Sequence, residues 1–477
     1  MRGSIVRRST PGTLVRSAML AVLALAVMAC GTRLNETERA AFAGNGSGGS
    51  TTNGNGSAAT ASGDAGTTGG TGGSDATQAS SDGGTTTGGA GGGSTGGTGG
   101  PVSSSAEPCA APTTEVGVTK DKIVLGGTFT LSGILPGFAQ PALNGARAYV
   151  DYLNSTGGLC GRKVEYVALD DGFDASRNNE QTRALMGQAV SLVGGFTPAD
   201  DGGASALAGS NVLDIAVGTT PARQTLPNHY GILSPEPQAG QAVSMPEYRY
   251  AVANGATKIA IVTVAAAAGR STMRIASDGA KASGMDVVLQ TEVSPTQFSF
   301  AATARAVAES GAQMLLSLLD INGSVQLAEE MTRVTNPVKF AFYRLGYDQR
   351  FVDQAGEAAE GTVSFIEFLP FEEGGSNEAL DAFLAHHDAV APDRAPNFQS
   401  MVSWVAMETF AQVIRSLPGP ITRAALVDAA KNLHRVDGKG LFAPFDLGAR
   451  KYPACKVLVR VVNGKYKREA PASGFYC

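Results

Sequence analysis

Between Lys122 and Gly172 the chain runs through an apolar stretch, a glycine-containing turn, a helical repeat and a second apolar stretch, an order that few folds accept. The first stretch, Ile123 to Phe129, is apolar and carries Gly126 and Gly127, as a strand buried in a parallel sheet does. Leu131, Ser132 and Gly133 turn the chain. From Ala142, the residues Leu143, Ala146, Tyr149, Val150 and Leu153 fall at helical spacing, and Gly157 with Gly158 stops that helix before a second strand, Lys163 to Leu169. Open parallel sheets bind small ligands where strand ends open into loops. The turn from Thr128 to Phe138 is therefore the first candidate for a pocket wall.

The unit repeats along the chain. Asp170, Asp171 and Gly172 end the second strand, Asn178 to Met186 reads as a helix, and Val190 to Val193 reads as a third strand. That strand runs into Gly194, Gly195, Phe196, Thr197 and Pro198; after a helix at Gly203 to Ser210, the strand Leu213 to Val217 ends in Gly218, Thr219, Thr220 and Pro221. Two turns of glycine and hydroxyl residues at successive strand ends predict a polar shelf, although Thr197, Thr219 and Thr220 fit equally well as helix caps. Pro227, Pro235 and Pro237 then interrupt the alternation, as a chain crossing between lobes would.

A second series follows, with strands at Lys258 to Val264, Asp286 to Val293, Met314 to Leu319 and Phe340 to Tyr343. Its helices are expected near Gln241 to Asn254, Ser271 to Ser283, Ala301 to Ser310 and Val325 to Arg333. Gly361 to Phe368 reads as a second crossing, followed by helices at Glu378 to Val390, Gln399 to Ser416 and Thr422 to Leu433. The chain closes on a hairpin, Lys456 to Val462 and Tyr466 to Glu469, turning at Asn463 and Gly464. Strands that alternate with helices in this way predict an α/β protein whose parallel sheets are covered on both faces.

Ahead of this pattern lie two segments of another kind. Arg2, Arg7, Arg8 and Arg16 precede an apolar run from Ala18 to Ala29, too short for a comfortable membrane span, and LAVMAC resembles a bacterial lipobox that makes Cys30 the lipid-attachment residue. Gly44 to about Ser105 is almost wholly Gly, Ser, Thr, Ala, Asn and Asp, with too little apolar surface to offset the entropy of ordering it. A coil of that length reaches on the order of 45 Å, enough to hold a domain off a membrane. Gly44, Gly46 and Gly49 match a nucleotide-loop spacing, but no strand precedes them and no helix follows.

Charge and cysteine content narrow the function further. The net charge of −5 falls to −9 once the four leader arginines are removed from the 37 basic residues set against 42 acidic ones, and no Lys/Arg cluster stands out, so no nucleic-acid partner is expected. Cys109, Cys160, Cys455 and Cys477 form an even set for an oxidising compartment. Three pairings are possible; Cys109 with Cys160, both ahead of neighbouring strands, and Cys455 with Cys477, flanking the hairpin, are preferred. The cysteine spacings do not suggest zinc, and adjacent His386 and His387 read as a solvated helix face. The sequence has no G-x-S-x-G elbow, H-E-x-x-H helix or P-loop, and Asp170 and Asp171, adjacent on a strand, point to opposite faces. Neither an enzyme nor a cofactor is expected.

Taken together, TLSG at Thr130 to Gly133, the run from Asn144 to Gly172, FSF at Phe298 to Phe300, AGEAAEG at Ala355 to Gly361 and the final FDLGARKYPACKVLVRVVNGKY, in that order, resemble the type I periplasmic binding-protein family, in its branched-chain amino acid receptor branch. The resemblance implies two Rossmann-like lobes with parallel sheets, joined by three crossover strands and closing on a ligand by hinge motion. It divides the chain into a leader (1–29), lipidated Cys30 and tether (30–105), first lobe (106–236 and 367–443) and second lobe (237–366 and 444–477). It further implies a monomeric, lipid-anchored extracytoplasmic protein that captures a carboxylate or amino-acid-like solute for an ABC permease. A ligand sensor or a non-transport scaffold of the same fold is the alternative.

Position by position, the resemblance places Phe138 over the ligand and Thr197, Gly218 and Thr220 as neutral donors to a carboxylate. Pro198 stands where a serine is typical. In the second lobe Ala268, within the run Ala265 to Gly269, replaces a tyrosine, and Arg344 replaces the acid that receives the ammonium of an amino acid. An arginine there suits an anion, with Asp320 expected to neutralise it or to accept from the ligand. A small carboxylic acid, aromatic or aliphatic, is thus expected rather than an ordinary α-amino acid.

Overall fold

A computed structural model describes residues 108–232, 243–452 and 455–477; the leader, Cys30, the tether and the first lobe crossing at 233–242 lie outside the described residues. The first series of apolar runs forms β1 (Lys122–Phe129), α1 (Gln140–Ser155), β2 (Lys163–Asp170), α2 (Ala175–Met186), β3 (Ser191–Val193), α3 (Asp201–Leu207), β4 (Leu213–Ile215), α4 (Pro221–Gln224) and β5 (His229–Tyr230). These strands pair in parallel in the order β2-β1-β3-β4-β5. β1 is apolar along its length because a strand inside such a sheet is covered on both faces, and every residue from Ile123 to Phe129 is buried.

The second series comprises α5 (Pro246–Ala253), β6 (Lys258–Val264), α6 (Ala267–Ala282), β7 (Asp286–Val293), α7 (Ala301–Glu309), β8 (Met314–Leu318), α8 (Ile321–Met331), β9 (Phe340–Tyr343), α9 (Gln349–Ala355) and β10 (Val363–Ile366). The chain then returns to the first lobe with α10 (Glu378–Val390), α11 (Phe398–Arg415) and α12 (Arg423–Lys431), and ends in the second with β11 (Val457–Val462) and β12 (Lys465–Ala470). The second sheet has the order β12-β11-β10-β9-β8-β6-β7, parallel from β7 to β10 and antiparallel at its hairpin edge. The two later crossings meet at Phe368, which pairs antiparallel with Phe442, while Val436 pairs with Phe445 within the last segment.

α11 is buried almost throughout, from Phe398 to Ile414, between α1 and strands β3 and β4. Its approach to α1 depends on Gly145: a Cβ there would lie 1.8 Å from the carbonyl oxygen of Ser400. Cys109 bonds Cys160, and Cys455 bonds Cys477, as preferred from the sequence.

Several elements differ from expectation for local reasons. α6 starts at Ala267 rather than Ser271, so Ala267 and Ala268, the second half of the alanine run expected as a loop, open the helix's first turn, in keeping with alanine's propensity. α8 starts at Ile321 because Asp320 caps it, and α9, which the periodicity missed, is capped by Asp348. Val363 to Ile366, expected within a crossing, is an interior strand between β9 and β11. His386 meets Asp151 at 2.7 Å near the surface, whereas His387 is buried. Among the described residues no helix is long and apolar enough to cross a membrane.

Candidate functional site

The two lobes face each other across one cleft with an outer and an inner part. The outer space, about 570 Å³, is walled by the turn from Ile134 to Phe138 of the first lobe and by Ala268, Phe298 and Asp320 of the second. The inner chamber, about 190 Å³, is lined by Val217, Gly218 and Gln224 from one lobe and by Tyr248, Ile275, Leu316 and Phe365 from the other. Phe196, Thr219, Thr272, Leu318 and Leu345 border both spaces, so they form one continuous cleft.

The first wall is held in shape by two aspartates at the end of β2. Asp170 Oδ1 accepts from the backbone N–H groups of Leu131, Ser132 and Gly172, which pins the turn after β1. Burial works against its charged form, but the Ser132 hydroxyl and those backbone donors outweigh it, and its carboxyl is held below the usual range. Asp171 is fully buried and accepts from the Thr130 hydroxyl at 2.8 Å and from Asn178 Nδ2 at 2.8 Å. The pair is a brace for the loop that presents Phe138, whose ring lies 5.7 Å from that of Phe196.

The hydroxyl shelf is built differently from the expectation. Thr197 Oγ1 sits 3.0 Å from Thr130 Oγ1 and accepts from the Ala199 N–H at 3.0 Å, while Thr220 Oγ1 donates to Asp200 at 2.6 Å. Both threonines are buried, and neither borders the cleft. Gly218 and Thr219 border it instead. Gly218 must be a glycine, since a Cβ there would lie 2.7 Å from Nε2 of His229.

The second wall carries the charge. Arg344, just beyond β9, donates to the Phe365 carbonyl at 2.8 Å and to Glu367 Oε1 at 3.1 Å, and its guanidinium stacks 4.1 Å from the Phe398 ring centre and 4.7 Å from that of Phe365. Stacking between two rings is a role for a planar guanidinium and not for an ammonium. Its neutralising partner is Glu367. Asp320, expected in that role, spends Oδ1 on the Gly323 N–H and caps α8 at the border of the outer space. Lys456 Nζ reaches the same Glu367 oxygen at 2.6 Å and lies 3.9 Å from Glu247 Oε1, so Arg344, Lys456, Glu367 and Glu247 form one buried cluster beside the inner chamber. Glu247, Glu367 and Lys456 were missed from the sequence. Glu367 and Lys456 are each a lone charge beside an apolar run, after β10 and ahead of β11, whereas Glu247 stands in a mixed stretch with Arg249 two residues on.

Phe138, Gly218, Ala268, Asp320 and Arg344 all line the cleft, drawn from segments up to 206 residues apart in sequence, from Phe138 to Arg344. Two α/β lobes that each contribute one wall to a cleft define the two-lobed class of ligand-binding proteins. Residues 122–465 match the model of the periplasmic binding-protein family, and the chain belongs to that family, in its type I form. Membership implies a small-molecule ligand, a permease partner and a place outside the cytoplasm.

Among solved structures, the chain resembles a fatty acid ABC transporter substrate-binding protein from Thermomonospora curvata, at 16% identity and a TM-score of 0.62, over 76% of this chain and 94% of that one. It resembles a solute-binding protein from R. palustris in complex with benzoate at 16% identity and a TM-score of 0.60, over 74% and 97%. A branched-chain amino acid transporter substrate-binding protein from Streptococcus pneumoniae in complex with isoleucine matches at 17% identity and a TM-score of 0.59, over 73% and 98%. At these identities the likeness concerns the fold. No curated protein matches the chain in sequence.

Proposed function

We propose that this protein is a lipid-anchored solute receptor that closes its lobes on a small carboxylic acid with an aromatic or aliphatic body and delivers it to an ABC permease. The observation that carries the reading is the inner chamber, whose walls of Val217, Ile275, Leu316 and Phe365 suit an apolar body and whose one cationic lining residue among the described residues is Arg344. A ligand of this kind gains from burying its hydrocarbon against such walls, at roughly 25 cal/mol per Å² removed from water. The fatty acid and benzoate proteins of the same fold lend support. Phe138, Gly218, Ala268 and Arg344 are the proposed contacts; Thr219 borders the cleft beside Gly218, but its hydroxyl donates to the Thr197 carbonyl at 3.0 Å. The lipobox at Cys30 supports the anchor, and the Gly/Ser/Thr segment after it supports a tether.

Closure follows from linkage: a ligand that touches both walls binds the closed form better and shifts the population toward it. Thermal unfolding of the full chain tests the ligand class, because a ligand bound only by the folded state raises the melting temperature. Octanoate and benzoate are expected to raise it and leucine and isoleucine to leave it unchanged. Stabilisation by the amino acids alone would overturn the carboxylic-acid reading.

A further inference from the structure

The reading above gives the ligand an apolar body and leaves its length open. The two parts of the cleft differ in size: the inner chamber encloses about 190 Å³ and the outer space about 570 Å³. An apolar cavity of about 150 Å³ takes one benzene ring, so by that measure the inner chamber takes a body of about six to eight carbons. The outer space is three times larger and opens directly onto it, through a neck bordered by Phe196, Leu318 and Leu345.

The outer space also carries apolar surface that the fold leaves in water. Among the described residues four large hydrophobic side chains are exposed, Val116, Ile134, Val243 and Phe298, and two of the four border this one space. Ile134, in the first-lobe turn between β1 and α1, is 53% exposed; Phe298, in the second-lobe loop between β7 and α7, is 89% exposed. Phe300, two residues on, is buried in the core, so that loop is held by one phenylalanine and presents the other. Asn322, Gln326 and Gln354, on α8 and α9, border the same space and give it a polar flank. Exposed apolar residues rimmed by polar ones mark a binding surface, and this one is continuous with the chamber assigned to the ligand. A ligand confined to the inner chamber leaves Ile134 and Phe298 in water, whereas a longer one covers them and is itself buried.

Resting on the carboxylic-acid reading, we propose that the ligand is a long-chain acid of twelve or more carbons, and that Ile134 and Phe298 are the residues that select its length. The carboxylate and the first carbons fill the inner chamber, the chain passes the neck, and its far end lies against Ile134 of one lobe and Phe298 of the other. Each methylene moved from water into such surroundings raises affinity about fourfold. A chain that touches both residues also bridges the lobes at the outer end of the cleft, so lengthening it favours the closed form.

Titration calorimetry of the full chain with benzoate, butyrate, octanoate and dodecanoate, each below its micelle concentration, tests this. Affinity is expected to keep rising past eight carbons, on the order of a hundredfold from octanoate to dodecanoate at about fourfold per methylene. Ile134→Ser combined with Phe298→Ser alters two exposed side chains and is expected to cut that dodecanoate-to-octanoate ratio about tenfold or more. An affinity that levels off at eight carbons overturns the proposal, as does a ratio that survives in the double variant, since the chain would then be bound elsewhere. Should the double variant not fold, the wild-type series decides alone. If acids of every length fail to bind, the carboxylic-acid reading fails and this inference with it; if octanoate and benzoate bind and dodecanoate binds no better, only the assignment of the outer space fails.

Discussion

Lys456 Nζ donates to Glu367 Oε1 at 2.6 Å, and the two side chains are 1% and 0% exposed. The bond ties the hairpin edge of the second sheet to the residue that leads out of β10 toward the other lobe. Removing one member of a buried pair leaves a charge that low-dielectric surroundings penalise, typically by about 3–5 kcal/mol. Lys456→Met is therefore expected to lower stability by about 3 kcal/mol, the low end because Glu367 keeps Arg344. Lys456→Met combined with Glu367→Gln should cost less than the two single changes together. Urea unfolding of the three variants measures the coupling, and strict additivity would show that the pair acts independently.

The bond between Cys455 and Cys477 acts on the same place. Lys456 and Tyr476, the residues just inside it, exchange backbone hydrogen bonds of 2.9 and 2.8 Å, so the disulfide fixes the backbone from which the Lys456 ammonium reaches Glu367 beside the inner chamber. Cross-linking across 22 residues restricts the unfolded chain by about 3 kcal/mol. The double change Cys455→Ser and Cys477→Ser should lower stability by about that amount, read by urea denaturation. It should also weaken carboxylate binding, whereas breaking Cys109–Cys160, in the other lobe, should affect stability alone.

The sheets and most helices were legible because burial on one face imposes a helical period and burial on both faces leaves a continuous apolar run, and β1, β6 and β8 are such runs. Element starts were less legible. α6, α8 and α9 begin within an alanine run or just after an aspartate, where capping competes with any other role for the same residue: Asp320, expected to neutralise Arg344 or to accept from the ligand, caps α8 while it borders the outer space. Thr197 and Thr220 show the same competition, since a hydroxyl at a strand end serves the protein's own groups as readily as a ligand: the Ala199 N–H and the Thr130 hydroxyl for Thr197, Asp200 for Thr220. The charge cluster was illegible as a cluster: Glu247, Arg344, Glu367 and Lys456 come from four elements, and only the order β9-β10-β11 and the seat of α5 against that sheet make them neighbours. A lone charge next to a run such as Val457 to Val462 was the available signal.

Gly145 sets how near α1 and α11 can come. With a Cβ only 1.8 Å from the Ser400 carbonyl oxygen, Gly145→Ala cannot be accommodated without moving one helix. Overpacking in a closed core costs about 1–3 kcal/mol, and here the neighbour is backbone and cannot swing aside. The variant should lose stability at or above the upper end of that range in a urea titration. Because Gln399, the residue before Ser400, donates to the Phe138 carbonyl at 3.0 Å, the same shift should disturb the cleft wall. An unchanged midpoint would mean that the helices separate at little cost.

His387, on α10, gives the fold an acid sensitivity of known sign. Burial disfavours its charged form and lowers its pKa from 6.5 to about 4, with Asp388 opposing the shift. The unfolded chain, with an ordinary histidine, therefore binds a proton at a pH where the folded chain does not. That contribution to stability is fully present above about pH 6.5 and is lost as the pH falls toward about 4. The loss is at most about 3.5 kcal/mol, from about 1.4 kcal/mol for each pH unit between the two values. Carboxylates also titrate in this window, so the comparison must be internal. His387→Gln, neutral at every pH, should keep more of its stability on going from pH 7 to pH 4.5 than the wild type does, measured as the shift in urea midpoint. Parallel losses in the two proteins would show that His387 takes up its proton as readily folded as unfolded.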